Sequence, residues 1–390
     1  MVSENGSSIT TERNDDETNV ALIFGVTGLV GREIVKTLAM SNKPTWRIYG
    51  VARNPENISS MTKMYSFISC DLLNESETKQ KLSPLQDIVS HVFWVTWSGE
   101  YPLDSDECCV QNRTMLTNAL DAILPNAKRL KHFSLQTGMK HYVSLVGETL
   151  SRGGEGSGLC YYSEECPRKS SGKNFYYVLE DLLKEKITGD SVVWSVQRPG
   201  LLMGSSTRTL YNFMGSLCVY GAMCRYLNLP FVFGGTRECW EECYIDGSDS
   251  NLVAEQHIFA ATSGRVCDKG EAFNAINGVG FTWKEIWPDI GRKLGVQVNE
   301  ESMFDEGFWF EREMGERKRV WDEIVVKEKL ARTKIEDLAN WVFMDVLFRC
   351  PFKLLGRRDK VDKFGFKRKY RTLDSILYWI DVMREEKLIP

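Results

Sequence analysis

Three glycines at three-residue intervals, Gly25, Gly28 and Gly31, lie in the run Ala21-Leu-Ile-Phe-Gly-Val-Thr-Gly-Leu-Val-Gly31. The run reads as a buried strand, a tight turn and the start of a helix. Glycine in such a turn lets backbone N–H groups approach a pyrophosphate, and the helix N-terminus adds partial positive charge. Any strand–turn–helix corner can hold glycines. Here the triplet follows the apolar Val20–Phe24 and precedes an amphipathic run, the context that a dinucleotide site requires. About twenty residues on, Tyr49-Gly-Val-Ala-Arg-Asn54 closes a second strand. An acidic side chain at that strand end suits the ribose 2′-OH of NAD. Arg53 instead suits the 2′-phosphate of NADP, so NADPH is the expected cofactor.

A dinucleotide fold that moves hydride often activates its substrate through Tyr-x-x-x-Lys on one helix, where the four-residue spacing puts both side chains on one face. No tyrosine meets that spacing: the fourth residue after Tyr176 is Glu180, and after Tyr177 it is Asp181. Two readings follow, a non-catalytic NADP(H)-sensing protein or a lysine supplied from elsewhere. Ser134-Leu-Gln-Thr-Gly-Met-Lys-His-Tyr142 offers such a lysine at a strand end, and Asn174-Phe-Tyr-Tyr177 opens the next long helix. Lys140 and Tyr176 can thus meet without sharing a helix. The four histidines of the chain show no base-plus-nucleophile arrangement.

The elements that position these residues alternate in type. Strands are expected near Val20–Phe24, Arg47–Val51, Ser66–Cys70, His91–Val95, Lys131–Gln136 and Val192–Gln197, with helices at Leu29–Met40, Glu75–Leu82 and Cys109–Ile123 among them. That alternation predicts a Rossmann-type, doubly wound parallel sheet over residues 19–200. Ser151–Lys173, rich in Gly, Ser and charge, interrupts the pattern as a long irregular loop, of the kind that is usually functional or disordered. After Arg198-Pro-Gly200 the chain turns mostly helical, at Leu210–Tyr226, Asp249–Thr262, Phe281–Leu294, Glu311–Leu330, Ile335–Phe348 and Leu373–Glu386. Residues 201–390 are expected to form a substrate-binding or lid region over the carboxyl edge of the sheet.

With 390 residues the chain is long enough for this arrangement, and its formal net charge of −4 provides no basic surface for nucleic acid. No apolar run reaches membrane-spanning length. The eleven cysteines are scattered without zinc-site spacing, so reduced thiols and no metal are expected. Residues 1–18 are polar and charged and read as a disordered tail with no targeting pattern, which makes the cytoplasm the expected location. Oligomeric state stays open, a homodimer being the assembly considered.

These segments together resemble the plant progesterone 5β-reductase/iridoid synthase family, a branch of atypical short-chain dehydrogenases. The resemblance runs over Gly25–Gly31, Tyr49–Arg53, Cys70-Asp71, Leu135-Gln-Thr-Gly-Met-Lys-His-Tyr142, Asn174-Phe-Tyr-Tyr177, Glu180-Asp181, Arg198-Pro199, Val320-Trp-Asp-Glu-Ile324 and Ile389-Pro390. Asn54 stands where many members carry a second arginine. The family implies NADPH-dependent 1,4-reduction of an enone or enal, a small hydrophobic α,β-unsaturated carbonyl, or the related reductive cyclisation of an oxo-monoterpenal. It assigns Tyr176 as donor to the substrate carbonyl and Lys140 as its partner. Cofactor contacts are then expected at Gly25, Thr27, Gly28, Leu29, Val30, Gly31, Arg53, Asp71, Thr137 and Lys140. Trp97 and Phe343 match substrate-lining aromatics.

Overall fold

Strand β1 (Asn19–Phe24) is apolar and buried from Val20 onward, as a strand covered on both faces must be. The computed structural model describes residues 18–42, 44–55, 61, 63–143, 161–169 and 172–390. Around β1 the chain lays down α1 (Leu29–Ala39), β2 (Trp46–Ala52), β3 (Ser66–Ser69), α2 (Glu75–Leu82), β4 (His91–Trp94), α3 (Asp106–Ile123), β5 (His132–Gln136), α4 (Phe175–Lys186) and β6 (Val193–Pro199). The sheet is parallel throughout, in the order β3-β2-β1-β4-β5-β6. Strand order therefore reverses at β1, and the turns leaving β1 and β4 splay apart at their carboxyl ends. That crevice is where doubly wound sheets take ligands.

Alternate side chains feed two cores. Leu22 and Phe24 pack with α3 and α4 residues such as Leu116, Leu120 and Leu182; Ala21 and Ile23 pack with Ile34, Val35 and Val253 on the other face. The second face is completed by a helix from beyond residue 200. The chain continues through β7 (Leu201–Met203), α5 (Phe213–Leu227), α6 (Arg237–Glu241), β8 (Gly247–Asp249), α7 (Ser250–Thr262) and β9 (Glu271–Ala275). Helix α7 lies on α1, and β9 pairs with β6 as the seventh strand. The sheet layer thus extends past the division expected at residue 200.

The remaining elements are α8 (Trp283–Leu294), α9 (Phe310–Met314), α10 (Lys318–Lys327), α11 (Ile335–Leu338), α12 (Trp341–Phe348), α13 (Asp359–Phe364) and α14 (Thr372–Glu385). Except for α13, whose Val361 and Phe364 join the α1–α7 core, they enclose with α5 a third core containing the fully buried Trp283, Trp287, Trp321 and Trp379. Two of the expected long helices are split. Glu311–Leu330 breaks at Gly315, where a Cβ would lie 2.5 Å from Glu311 O. Ile335–Phe348 breaks at Asn340, whose side chain accepts the Phe343 N–H at 2.9 Å and starts a new helix. Among the described residues no helix is long and apolar enough to cross a membrane. Residues 1–17 of the expected tail and residues 151–160 and 170–171 of the expected long loop fall outside the described residues.

Candidate active site

The three glycines do different jobs. Gly25 has φ +84°, and a Cβ there would lie 2.7 Å from Val95 O. A Cβ on Gly31 would meet Gly25 O at 2.2 Å, so the helix can seat on the turn only with glycine. Gly28 has φ −84° and caps α1; its nearest neighbour for a Cβ is Gly25 O at 3.3 Å, leaving that side open for a ligand to approach. The turn opens into a cavity of about 550 Å³ that Thr27, Leu29, Val30, Arg53, Asn54 and Asp71 also line. Arg53 and Asp71 are exposed at its rim, while Thr27, Leu29 and Val30 are buried beneath it. At the far end Gln136 Oε1 is buried without a hydrogen-bond partner, and so is Thr137 Oγ1 just beyond it. Glycine cradle, rim arginine and orphaned acceptors fit a dinucleotide laid from β2 across α1 to β5.

The second cavity, about 780 Å³ and largely apolar, shares Leu29, Thr96, Trp97 and Gln136 with the first. Tyr176 and Lys140 both line it near that junction. Two hydrogen bonds from one residue set their relation. Asn174 caps α4, its side-chain oxygen accepting Tyr176 N–H at 3.1 Å, while its Nδ2 donates to Lys140 O at 3.2 Å. Tyr177 adds a third tie by donating its hydroxyl to His141 O. The Tyr176 hydroxyl lies 3.0 Å from where a Gly138 Cβ would be, so glycine at 138 leaves it room. The Lys140 ammonium lies 5.9 Å from the Tyr176 ring centroid and donates to Leu103 O at 2.8 Å. The two side chains are neighbours without a hydrogen bond between them.

Their electrostatics suit a donor pair. Burial pushes the Tyr176 phenol well above its ordinary value, with nearby ionisable groups at Cys108 and Tyr211 adding to the rise, so it stays protonated. Its side chain is half-buried and lines the cavity. Burial lowers Lys140 to about 8, against the weaker opposing pull of Cys108, Asp104 and Cys109. Beneath them Glu180 bonds Arg168 at 3.0 Å and Arg198 at 3.3 Å. Burial works against its ionisation, but His141 and the two guanidiniums outweigh burial and hold it low, at about 2.

Trp97 stacks between Phe175 (5.7 Å, 13°) and Tyr211 (5.6 Å, 15°), and Tyr211 meets Phe343 at 5.1 Å. An aromatic wall therefore runs from α4 to α12, which also turns Val342 and Val346 toward the cavity. All the expected site residues line one or other cavity except Gly31, whose part is to seat α1. Sequence reasoning missed Asn174, Gln136, Phe175 and Tyr211. The first was legible as a helix-capping asparagine before an aromatic run; the stack itself joins residues far apart in the chain and leaves no local signature.

The sheet order, the glycine turn at its reversal and the cleft define a doubly wound Rossmann-type fold. The chain matches the PRISE-like Rossmann-fold domain over residues 21–390 and belongs to that family. It is 39% identical to the (S)-8-oxocitronellyl enol synthase CYC2 of Camptotheca acuminata over 379 residues, covering 95% of this chain and 93% of that one. It is 37% identical to the 3-oxo-Δ4,5-steroid 5β-reductase of Arabidopsis thaliana over 377 residues, again 95% and 93%. Among solved structures, a UDP-glucose 4-epimerase of Thermotoga maritima superposes with a TM-score of 0.63 at 12% identity, over 94% of this chain and 99% of that one. That likeness concerns the fold.

Proposed function

We propose that this enzyme reduces the carbon–carbon double bond of an α,β-unsaturated aldehyde or ketone with NADPH. The observation that carries the reading is the convergence of Tyr176 and Lys140 where a dinucleotide-shaped cleft opens into an apolar cavity. The reductase and enol synthase names of its relatives support the same chemistry.

The glycine turn takes the pyrophosphate, Arg53 the 2′-phosphate, Asp71 the adenosine side, and Gln136 and Thr137 the nicotinamide end. When bound, the reduced nicotinamide supplies a hydride to the substrate's β-carbon. Tyr176 donates a hydrogen bond to the carbonyl oxygen, where negative charge grows as the enolate forms. A fixed donor aimed at that oxygen in a water-poor site is the largest effect available to the protein. Lys140, a cation below pH about 8, orients the ribose and adds positive potential beside the phenol. Trp97, Tyr211 and Phe343 hold the hydrocarbon part and exclude water.

The names of several relatives favour a second outcome, release of the enol for cyclisation rather than protonation to the saturated carbonyl. Both outcomes share every step up to the enolate. The test is NADPH oxidation by the pure protein over small enals, small enones, a steroid enone and an oxo-monoterpenal, with product analysis. Turnover of at least one class supports the reading. No oxidation with any, while NADPH binds, would favour the sensing alternative.

A further inference from the structure

We propose that Arg208 is a phosphate-binding residue of the dinucleotide cleft, closing over the pyrophosphate from the side opposite the glycine turn. The proposal rests on the NADP(H) reading above and names a contact that reading does not use.

The loop after β7 is tied to the turn after β1. A Cβ on Gly204 would come within 2.5 Å of Ser250 Oγ and 3.2 Å of Leu29 Cδ2, so the strand leaves the sheet pressed against the first residue of α1. Ser206 then donates its hydroxyl to Thr27 O at 2.9 Å, inside the glycine turn itself. The same hydroxyl oxygen accepts the Arg208 N–H at 3.0 Å, and Asn212 Nδ2 donates to Ser206 O at 2.8 Å. Arg208 is therefore two residues from a hydrogen bond to the turn, on a segment fixed at both ends. It lines the cavity that Gly28 and Arg53 also line.

Its charge has no other use. The Arg208 side chain is exposed and makes no hydrogen bond or ion pair with any described residue. The two carboxylates lining the same cavity are engaged otherwise: Asp71 Oδ1 accepts Leu73 N–H at 3.1 Å, and Glu100 accepts the Gln111 amide at 2.5 Å. The arginine within α1 is committed too, since Arg32 is buried on Ser205 O and Glu386. The described lining of the cleft thus carries one cation at the β2 end, Arg53, and one on the loop that Ser206 ties to Thr27, Arg208. A diphosphate lying over Gly28 falls next to the second. A planar guanidinium fork matches adjacent phosphate oxygens, and its long side chain can swing in once the ligand is seated. The contact is sequence-specific to this loop and independent of the 2′-phosphate.

Titration calorimetry of the full-length protein with NADP⁺, NAD⁺ and adenosine 2′-monophosphate separates the alternatives. Arg208→Gln should weaken NADP⁺ and NAD⁺ by the same factor, about tenfold or more for a lost charge-assisted contact, and leave adenosine 2′-monophosphate unchanged. Arg208→Lys should recover part of the loss. Thermal unfolding should be unaltered, the side chain being exposed. Unchanged affinity for both dinucleotides overturns the proposal. A loss confined to NADP⁺ and adenosine 2′-monophosphate also overturns it, moving Arg208 to the 2′-phosphate. If the parent protein binds neither dinucleotide, the NADP(H) reading itself fails, a result distinct from a silent Arg208 variant.

Discussion

The two cavities that meet at Trp97 and Gln136 are built on opposite plans. The dinucleotide cleft is made of backbone: a turn whose Gly25 and Gly31 tolerate no Cβ, with charged side chains only at its rim. The apolar cavity is made of side chains: stacked aromatic rings from β4's exit, α4 and the loop before α5, with Phe343 of α12 tilted against the last of them. Backbone geometry recognises what every dinucleotide shares, and it cannot change without losing the turn. A wall of side chains can be altered ring by ring while the sheet stands. Cofactor chemistry in this fold is thus rigid, and substrate choice is adjustable.

That contrast breaks first at the junction. Tyr176→Phe removes the hydroxyl and keeps the ring. Turnover should fall roughly a hundred- to a thousandfold, with dinucleotide affinity and melting temperature unchanged. Steady-state kinetics beside calorimetry checks this; loss of turnover in Tyr177→Phe instead would transfer the role, although Tyr177 spends its hydroxyl on His141 O. A smaller effect belongs to the rim of the cleft. Arg53→Glu should weaken NADPH by about tenfold or more and NADH far less, because only the 2′-phosphate loses its partner. Equal losses for both would put Arg53 on a shared part of the cofactor.

On the adjustable side, Phe343→Ala should raise KM for a small enal a few-fold and improve a steroid enone, leaving NADPH affinity as it was. Phe343 is half-buried and touches Tyr211, so a marked fall in stability would mark it as part of the core instead. The least effect concerns Lys140 and pH. Its folded-state value, about 8, lies below the ordinary 10.5, so the unfolded chain binds more proton between those limits. Stability from this group is complete above pH about 10.5 and is lost as pH falls through about 8. Lys140→Met should therefore gain on the parent protein most near pH 7, the gap narrowing toward pH 10, in denaturant titrations at several pH values. A gap independent of pH would mean that Lys140 is not desolvated.

Much of the sheet was legible from short apolar stretches that alternate with helical patterns, clearest in Val20–Phe24 of β1 and Val92-Phe-Trp94 of β4, both fully buried. Strand β9 was not, since Glu271-Ala-Phe-Asn-Ala275 carries polar residues at buried positions; Asn274 is tolerated there because Tyr142, Tyr162 and Arg357 bond it. The three-residue β7 and β8 are too short to show any period. In the site, the glycine turn is a local pattern and could be read directly. A strand end and a helix start allowed Lys140 and Tyr176 to meet, and the family resemblance gave them roles; the single asparagine side chain that bridges them had no such signal. Tyr211 and Arg208 lie on a loop whose importance comes from Ser206 reaching Thr27, a contact between residues 179 positions apart.

The central claim is that the substrate's β-carbon sits where the cleft opens into the apolar cavity, its carbonyl on Tyr176. The most direct test is the fate of label from NADPH deuterated at the transferring position of its nicotinamide, with a small enal as substrate and the product read by NMR. The account predicts deuterium at the β-carbon of the saturated aldehyde. Deuterium at the carbonyl carbon of an allylic alcohol would contradict it, placing the carbonyl carbon rather than the β-carbon against the cofactor.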